Sequence, residues 1–313
     1  MNTIYLEHPH QLKKQDLPSK VLALGYFDGV HLGHKRVILT ARELANQKGY
    51  MSAVMTFHPH PAVVLSGKRE TPAITPLPDK EKAIESLGIE TLYIVRFDQT
   101  FSQLTPQQFI DQYIIGLSVK HVVAGYDFTY GRSGQGTMAT IDRYSRGEFT
   151  HTTVEKVEKD GVKISSSLIR NLIEEGKVNM VPDFLGRHYQ IKGTVVDGEK
   201  RGRTIGFPTA NISPSSFYLL PRKGVYAVRV FTRGQWYNGI LNLGYKPTFH
   251  RDLPEPTIEV HLIDFHQDIY GETVTLEWHT RIRDERKFHS IDDLVKQIQR
   301  DKEEVIHYFQ LAF

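Results

Sequence analysis

The rhythm of apolar and polar positions changes about half-way along the chain. In the first half, short apolar runs alternate with stretches of helical spacing. Val21-Leu22-Ala23-Leu24 is an unbroken apolar run closed by Gly25, the pattern of a strand buried on both faces. Val37, Ile38, Ala41, Leu44 and Ala45 then recur at helical spacing, and Gly49 supplies a stop. Residues 53–57, "TLYIV" at 91–95 and "HVVAG" at 121–125 read as further strands. Asp79 is a candidate cap for a helix running through Ala83, Ile84 and Leu87 to Gly88, and Thr105-Pro106-Gln107-Gln108 has the form of a capping box opening a helix to about Ile115. Strands alternating with helices predict an α/β domain with a doubly wound parallel sheet, assigned here to residues 1–182.

From residue 183 the period shortens. "YQIKGTVV", "GVYAVRVF", "QWYNGILNLG", "TIEVHLIDF" and "TVTLEWHTRIR" follow one another as strands, with "TRG" able to close a hairpin between the second and third. After Ser290, residues Ile291, Leu294, Val295, Ile298, Val305 and Phe309 keep largely to one side of a helix. An antiparallel β-barrel with a terminal helix is the expected architecture of residues 183–313.

Composition narrows the classes. The 313 residues are 40% hydrophobic and 24% charged with a formal net charge of +3, a balance suited to two globular domains and too thin in basic charge to point to nucleic acid. There is no cysteine, which removes disulfides, thiolate nucleophiles and cysteine-based zinc sites. No apolar run reaches membrane-spanning length and the N-terminus lacks a signal-peptide pattern, so the expectation is a cytoplasmic protein with no membrane partner. Oligomeric state leaves no mark in the sequence.

Candidate chemistry gathers in four stretches. In "GYFDGVHLGH" (25–34), the end of a strand meets the start of a helix, where backbone N–H groups favour an anion. His31 and His34 admit three readings there: loop caps, metal ligands, or donors to a phosphate whose charge grows in a transition state. Gly29 and Gly33 let backbone approach a ligand. "GYDFTYGRSGQG" (125–136) reads either as a mobile turn or as a nucleotide-binding loop with Arg132 as phosphate donor. In "ISSSLIRNLIEEG", Ser165, Ser166 and Ser167 open a helix whose apolar side is Leu168, Leu172 and Ile173. Ser166 and Arg170, four apart, share a face suited to an anion. "GEKRGRTIGFPTANI" joins Gly198, Gly202, Lys200 and Arg203 to Thr209 and Asn211. It is either a solvated basic loop or a holder of a magnesium nucleotide.

These stretches resemble a known family. His31-Leu32-Gly33-His34 is similar to the HxGH signature of nucleotidyltransferases, and the wider "GYFDGVHLGH" to its form in prokaryotic FAD synthetases. "GYDFTYG" resembles their GxDFxFG segment, with Tyr130 in place of phenylalanine. "ISSSLIR" resembles ISSTxIR, with Ser167 in place of threonine. "GRTIGFPTAN", "NLGYKPT" (242–248) and "EVHLIDF" (259–265) resemble riboflavin kinases in content and order. The chain thus resembles the bifunctional riboflavin kinase/FAD synthetase family over its full length. The resemblance implies an N-terminal nucleotidyltransferase domain that adenylates FMN and a C-terminal kinase that makes it, with ATP, riboflavin, FMN and FAD as small-molecule substrates and products. It implies that His31, His34, Gly25, Phe27, Asp28, Asp127 and Gly131 surround ATP, that Ser166 and Arg170 face pyrophosphate, and that the loop with Pro59 and Pro61 faces the flavin. Thr209 and Asn211 are implied as holders of Mg2+ arriving with ATP, and Glu259 as the base that activates the ribityl hydroxyl. A tRNA-acting synthetase shares the HxGH core, but "KMSKS" is absent. A flavin carrier without catalysis needs no paired phosphate sites.

Overall fold

Period-2 burial explains the apolar run at residues 21–24. The computed structural model describes every residue except 68–70, 199–201, 203–204, 247–254 and 313. It divides into two compact units, Met1–Ser166 and Ser167–Phe313. In the first, strand β2 (Lys20–Leu24) is buried at every position. Leu22 and Leu24 face one apolar core with Met55, Tyr93 and Phe109, while Val21 and Ala23 face another with Val37, Ile38 and Val54. A strand covered on both sides needs no polar alternation.

That sheet is wholly parallel. Its strands β1 (Asn2–Leu6), β2, β3 (Met51–His58), β4 (Thr91–Arg96), β5 (Val119–Gly125) and β8 (Thr150–Val154) lie in the order β1-β4-β3-β2-β5-β8. Helix α1 (Leu32–Lys48) ends on Gly49 at φ 65°, a left-handed position that suits glycine. The two edge strands escape the sequence reading because β1 is half exposed and β8 is threonine-rich and not fully buried. A short helix α2 (Pro61–Ser66) replaces the extended loop that prolines 59 and 61 predict, because Pro61 occupies the first helical turn. Helix α3 (Leu77–Glu85) starts before Asp79, which sits in the first turn while Pro76 takes the cap position. After α4 (Gln99–Ser102), the capping box at Thr105 forms as read, with reciprocal bonds to Gln108. Only α5 (Pro106–Phe109) is α-helical before a π-helical stretch, Ile110–Ile115. The glycine-rich stretch after β5 folds into a ribbon of β6 (Thr129–Tyr130) and β7 (Gly136–Thr137). Helix α6 (Ile141–Ser145) precedes β8, and a second ribbon, β9 (Glu158–Lys159) and β10 (Val162–Lys163), follows it.

The second unit takes in most of α7 (Ser166–Glu174), then α8 (Pro182–Leu185) and a closed barrel. The apolar side of α7 is Ile169, Leu172 and Ile173, with Leu168 only half-buried. Strands β11 (Tyr189–Val196), β12 (Ala210–Pro214), β13 (Gly224–Thr232), β14 (Gln235–Lys246), β15 (Glu255–Leu262) and β16 (Thr273–Arg283) close in the order β11-β12-β15-β14-β13-β16, every pairing antiparallel. Arg233 (φ 49°) and Gly234 (φ 83°) make the tight hairpin between β13 and β14. Strand β12 goes unread because its five residues lie inside a motif whose prolines and small residues carry no clear alternation. Ser290 caps the terminal helix α9 (Ile291–Ala312) through the Asp293 N–H. Val305 and Phe309 pack on Val225, Ala227, Ile240 and Ile263 of the barrel wall. Ile291, placed on the apolar side by its spacing, is 66% exposed. The position lies in the first turn, before the helix reaches that wall. Among the described residues no helix is long and apolar enough to cross a membrane.

Candidate functional site

Between β2 and α1 the chain adopts an unusual backbone. Phe27 (φ 56°), Gly29 (φ 90°) and Val30 (φ 44°) all lie in the left-handed region, a concentration of strain that for Phe and Val marks a tightly determined loop. Burial fixes it: Phe27 and Val30 insert into the core under α1. Gly25 admits no side chain, because a β-carbon there would stand 2.6 Å from the Phe27 ring. The buried Asp28 carboxylate accepts from the Thr75 N–H at 3.1 Å and the Ile74 N–H at 3.4 Å. Its backbone carbonyl accepts from the Ser166 hydroxyl at 2.9 Å. Asp28 and Ser166 therefore hold the loop, and Ser166 begins α7 with its proton already committed.

His31 caps α1. Its Nδ1 accepts from the His34 N–H at 3.1 Å, so in the neutral ring the proton sits on Nε2. The capping reading thus holds for one ring nitrogen. The two imidazoles stack, with centroids 3.5 Å apart and planes at 16°. Phe27 meets His34 edge-on at 5.3 Å. Burial, and behind it the His31 ring and the Lys80 ammonium, push the His34 pKa well below the ordinary imidazole value. His34 is accordingly neutral near pH 7. Its Nδ1 is a buried atom with no hydrogen-bond partner among the described residues. A β-carbon at Gly33 would crowd the His31 ring at 3.1 Å.

One residue of this site was not read from the sequence. Lys80 is only 3% exposed and shares the buried side of α3 with Ile84. Its Nζ donates to the Tyr26 carbonyl at 2.8 Å and lies 4.0 Å from the centre of the Tyr26 ring. Burial lowers its pKa to about 8, against an opposing pull from Asp28. The missed signal was a lysine at i, i+4 from Ile84, on the apolar face of a helix. Tyr26 also meets the His60 ring edge-on at 4.3 Å, beside Pro59 and Pro61.

The other first-unit candidates sit in the ribbon and its surroundings. The Asp127 carboxylate accepts from Lys163 Nζ at 2.8 Å. Gly131 (φ 74°) has no room for a β-carbon, which would stand 2.8 Å from the Pro106 nitrogen. Arg132 is exposed, and its backbone N–H is bound to the Leu104 carbonyl at 2.6 Å. Tyr130 is buried against Phe109, so the phenol at that position packs as a phenylalanine does. Ser165 is half-buried, and Arg170 is half-buried one turn beyond Ser166 on the same face of α7.

In the barrel, Thr209 lies on the wall of a cavity of about 350 Å³. Val195, Val260, Leu262, Phe265 and Tyr270 contribute to a mainly apolar lining, the character of a site for a planar ring. Gly198 and Gly202 are required by close approach. A β-carbon would stand 2.0 Å from Asn211 Nδ2 at the first and 2.3 Å from the Phe207 carbonyl oxygen at the second. His261 Nδ1 bonds the Pro208 carbonyl at 2.9 Å, anchoring the turn before Thr209. Lys200 and Arg203 lie outside the described residues, as do Pro247 and Thr248.

Register places Glu259 directly opposite Asn211 on β12 and Asn242 on β14. Its neighbours Ile258 and Val260 are buried, whereas Glu259 is half-buried. The alternation read from "IEVHL" therefore holds up to His261, but Ile263 is buried too, under α9. The Thr209 hydroxyl and the Asn211 amide oxygen are donors suited to a hard cation. Two neutral oxygens fit an ion that keeps its waters and arrives on phosphate.

Another group of metal-ligating side chains, His188, Glu277 and His279, has its ligand atoms within 4.8 Å of one another. The His188 and His279 rings lie nearly face to face, at 4.2 Å and 30°, an arrangement that runs their lone pairs side by side. Glu277 is already bonded to Gln190 at 2.6 Å and to His279 at 2.9 Å. Phe309 of α9 covers His279 at 4.9 Å. The cluster is a buried polar network fastening the terminal helix.

Comparison with known proteins matches residues 13–168 to the FAD synthetase family and 185–309 to the riboflavin kinase family. A bifunctional riboflavin kinase/FMN adenylyltransferase of Bacillus subtilis is 53% identical over 99% of this chain and 98% of its own. The protein of the same description from Listeria monocytogenes is 45% identical over 99% and 98%. A crystal structure described as a macrolide-efflux protein from Streptococcus pneumoniae has the same fold, with a TM-score of 0.86 and 36% identity over 97% of this chain and 98% of that one. With both family matches present in one chain, and relatives that align from end to end, the chain belongs to the bifunctional riboflavin kinase/FMN adenylyltransferase family.

Proposed function

We propose that the barrel phosphorylates riboflavin and that the parallel-sheet unit adenylates the resulting FMN, with each reaction confined to the residues described above. The observation that carries the reading of the first unit is the stacked His31–His34 pair at the first turn of α1. Adenylyl transfer brings an FMN phosphate oxygen to the α-phosphorus of ATP and breaks the bond to pyrophosphate, joining two anions. Helix-terminal N–H groups and the His31 and His34 rings suit such charge. The buried Lys80 ammonium adds a fixed positive charge behind them. Ser165, the backbone N–H of Ser166 and Arg170 at the start of α7 suit the departing pyrophosphate, while the Ser166 hydroxyl holds the Asp28 loop. Gly25, Gly29, Gly33, Asp127, Gly131 and Arg132 suit the remainder of ATP, and the turn with Pro59 and Pro61 suits the flavin.

In the barrel, the apolar cavity beside Thr209 takes the nucleoside of ATP. Thr209 and Asn211 would hold Mg2+ arriving with the triphosphate, where it would neutralise phosphate charge. Gly198 and Gly202 keep the backbone close to this pair, and Lys200 and Arg203 are proposed as cationic partners of the phosphates. Glu259 accepts the ribityl hydroxyl proton as that oxygen bonds to the γ-phosphorus and ADP leaves. Cytoplasmic residence and independence from nucleic acid follow from such small soluble substrates.

The test is chromatographic separation of flavins during incubation with riboflavin, ATP and magnesium. FMN and then FAD are expected. His34→Ala should lower FAD formation from supplied FMN by ~10²-fold or more, the typical effect of losing one preorganised donor, with phosphorylation intact. Glu259→Gln should lower FMN formation by ~10² to 10⁴-fold, the range of a general base, with adenylylation intact. Equal loss of both activities in either folded variant would refute the division of labour.

A further inference from the structure

Glu259 does not stand alone on its row. The register of β15 sets it opposite Asn242 on β14, Asn242 opposite Val225 on β13, and Glu259 opposite Asn211 on β12. Directly opposed residues of antiparallel strands project to the same face, with β-carbons ~5 Å apart. The intervening residues fix which face this is. Leu241, Leu243, Ile258 and Val260 are buried inside the barrel, so Asn242 and Glu259 lie on its outer wall. That wall is shared with Val225, Ala227, Ile240 and Ile263, which α9 covers.

Asn242 has few polar neighbours on this wall. Along its own strand, the same-face residues are Ile240, buried under α9, and Gly244, which has no side chain. Across β13 it meets Val225. Across β15 it meets the Glu259 carboxylate. Further off, the Glu285 carboxylate stands over Gly244, 2.9 Å from where a β-carbon would be, with Thr257 Oγ1 at 3.2 Å from the same point. On the far side, Asn211 is pressed against Gly198, and His261 is tied to the Pro208 carbonyl. Register thus makes the Glu259 carboxylate the acceptor directly opposed to the Asn242 amide, although the two side chains are not hydrogen-bonded to each other in this structure.

We infer that Asn242 is a positioning residue for the kinase: once riboflavin is bound, its side-chain amide donates to one Glu259 oxygen and turns the other toward the ribityl hydroxyl. The inference rests on the reading of Glu259 as the base. A carboxylate on a strand has rotamer freedom, and holding one oxygen fixed confines the reacting oxygen to a single approach. Asn242 touches neither riboflavin nor ATP in this role, so its loss should appear in kcat rather than KM.

The experiment measures riboflavin phosphorylation in the full chain for Asn242→Leu, Asn242→Ser, Glu259→Gln and the Asn242→Leu/Glu259→Gln pair. Adenylylation of supplied FMN in the same samples reports intact folding of the chain. Asn242→Leu should lower kcat by about 30-fold, within the loss that misplacing a reacting group by about 1 Å brings, with KM for both substrates within about twofold. Asn242→Ser keeps a short donor and should recover most of the rate. In the Glu259→Gln background, Asn242→Leu should cost nothing further, because the carboxylate it positions is gone. If Asn242→Leu raises KM and spares kcat, or if its loss multiplies with that of Glu259→Gln, the inference is overturned while the base assignment stands. A serine variant as slow as the leucine variant counts against it equally. Full kinase activity in Glu259→Gln removes the base itself, and the inference with it.

Discussion

At the scale of single residues, the loop between β2 and α1 and the lysine behind it carry polar groups whose protonation is governed by burial. His34 is held neutral, and Lys80 is held near the edge of neutrality, with a pKa of about 8. A lysine whose folded pKa lies below its unfolded value makes the unfolded chain bind more protons between about pH 8 and 10.5. Wild-type stability relative to Lys80→Met should therefore rise with pH across that window and be flat below it. Adenylylation should fall above pH 8 as the ammonium is lost, and Lys80→Met should lower it by ~10²-fold at neutral pH, as for removal of one preorganised charge. A Lys80→Met enzyme with unaltered adenylylation would reduce the residue to a packing role. The sequence made His31 and His34 visible because a signature surrounds them. Lys80 was invisible because a charged residue on an apolar helix face looks like a surface position until the fold buries it. Glu259 was visible through the resemblance of "EVHLIDF" to riboflavin kinases. Its neighbour Asn242 was hidden because only the strand register, which no local pattern specifies, brings the two together.

At the scale of elements, the terminal helix is fastened to the barrel by charge as well as by apolar packing. Arg283 at the end of β16 grips Asp301 of α9 with two parallel bonds, Nε to Oδ1 at 2.9 Å and Nη2 to Oδ2 at 2.8 Å. Asp301 is 2% exposed and also accepts from Gln297 at 2.7 Å. Removing one partner of a buried pair strands the other, which typically costs ~3–5 kcal/mol. Asp301→Ala should thus destabilise the second unit, read as an earlier denaturant midpoint, and reduce phosphorylation before adenylylation. A thermal or denaturant profile unchanged from wild type would show that the apolar contacts of Val305 and Phe309 suffice. The same logic explains which elements were legible. Strands β11 and β16 were read to their ends because their alternation is unbroken, and α1 because a cap and a glycine stop bracket it. The edge strands β1 and β8, and β12 within the "PTAN" motif, were not, since an element held by its neighbours carries little pattern of its own.

At the scale of the whole molecule, the two family matches stop at residue 168 and resume at residue 185, and the intervening segment is part of the second unit. The boundary expected from strand pattern, at residue 183, would cut it away. Yet its apolar residues Ile169, Ile173, Val178 and Val181 are fully buried, and the turn Val178–Met180 packs on β16. Gly176 fits against the barrel so closely that a β-carbon would stand 2.8 Å from Arg281 Cδ and 3.0 Å from the Tyr226 hydroxyl. Residues 183–313 contain the whole barrel, α9, Thr209, Asn211 and Glu259, so this fragment should make FMN and no FAD. A fragment from Ser167 should do the same while gaining the burial of the extra segment. The packing of Val178–Met180 on β16 and the close fit of Gly176 against Arg281 and Tyr226 should make the longer fragment the more stable of the two. The measurement is urea unfolding of the two fragments followed by the single barrel tryptophan, Trp278, which lies against Tyr226, after Trp236→Phe in both. A later midpoint for the fragment from Ser167 is expected. Coincident midpoints would mean that the segment is carried by the barrel without supporting it, and that the kinase module begins at residue 183.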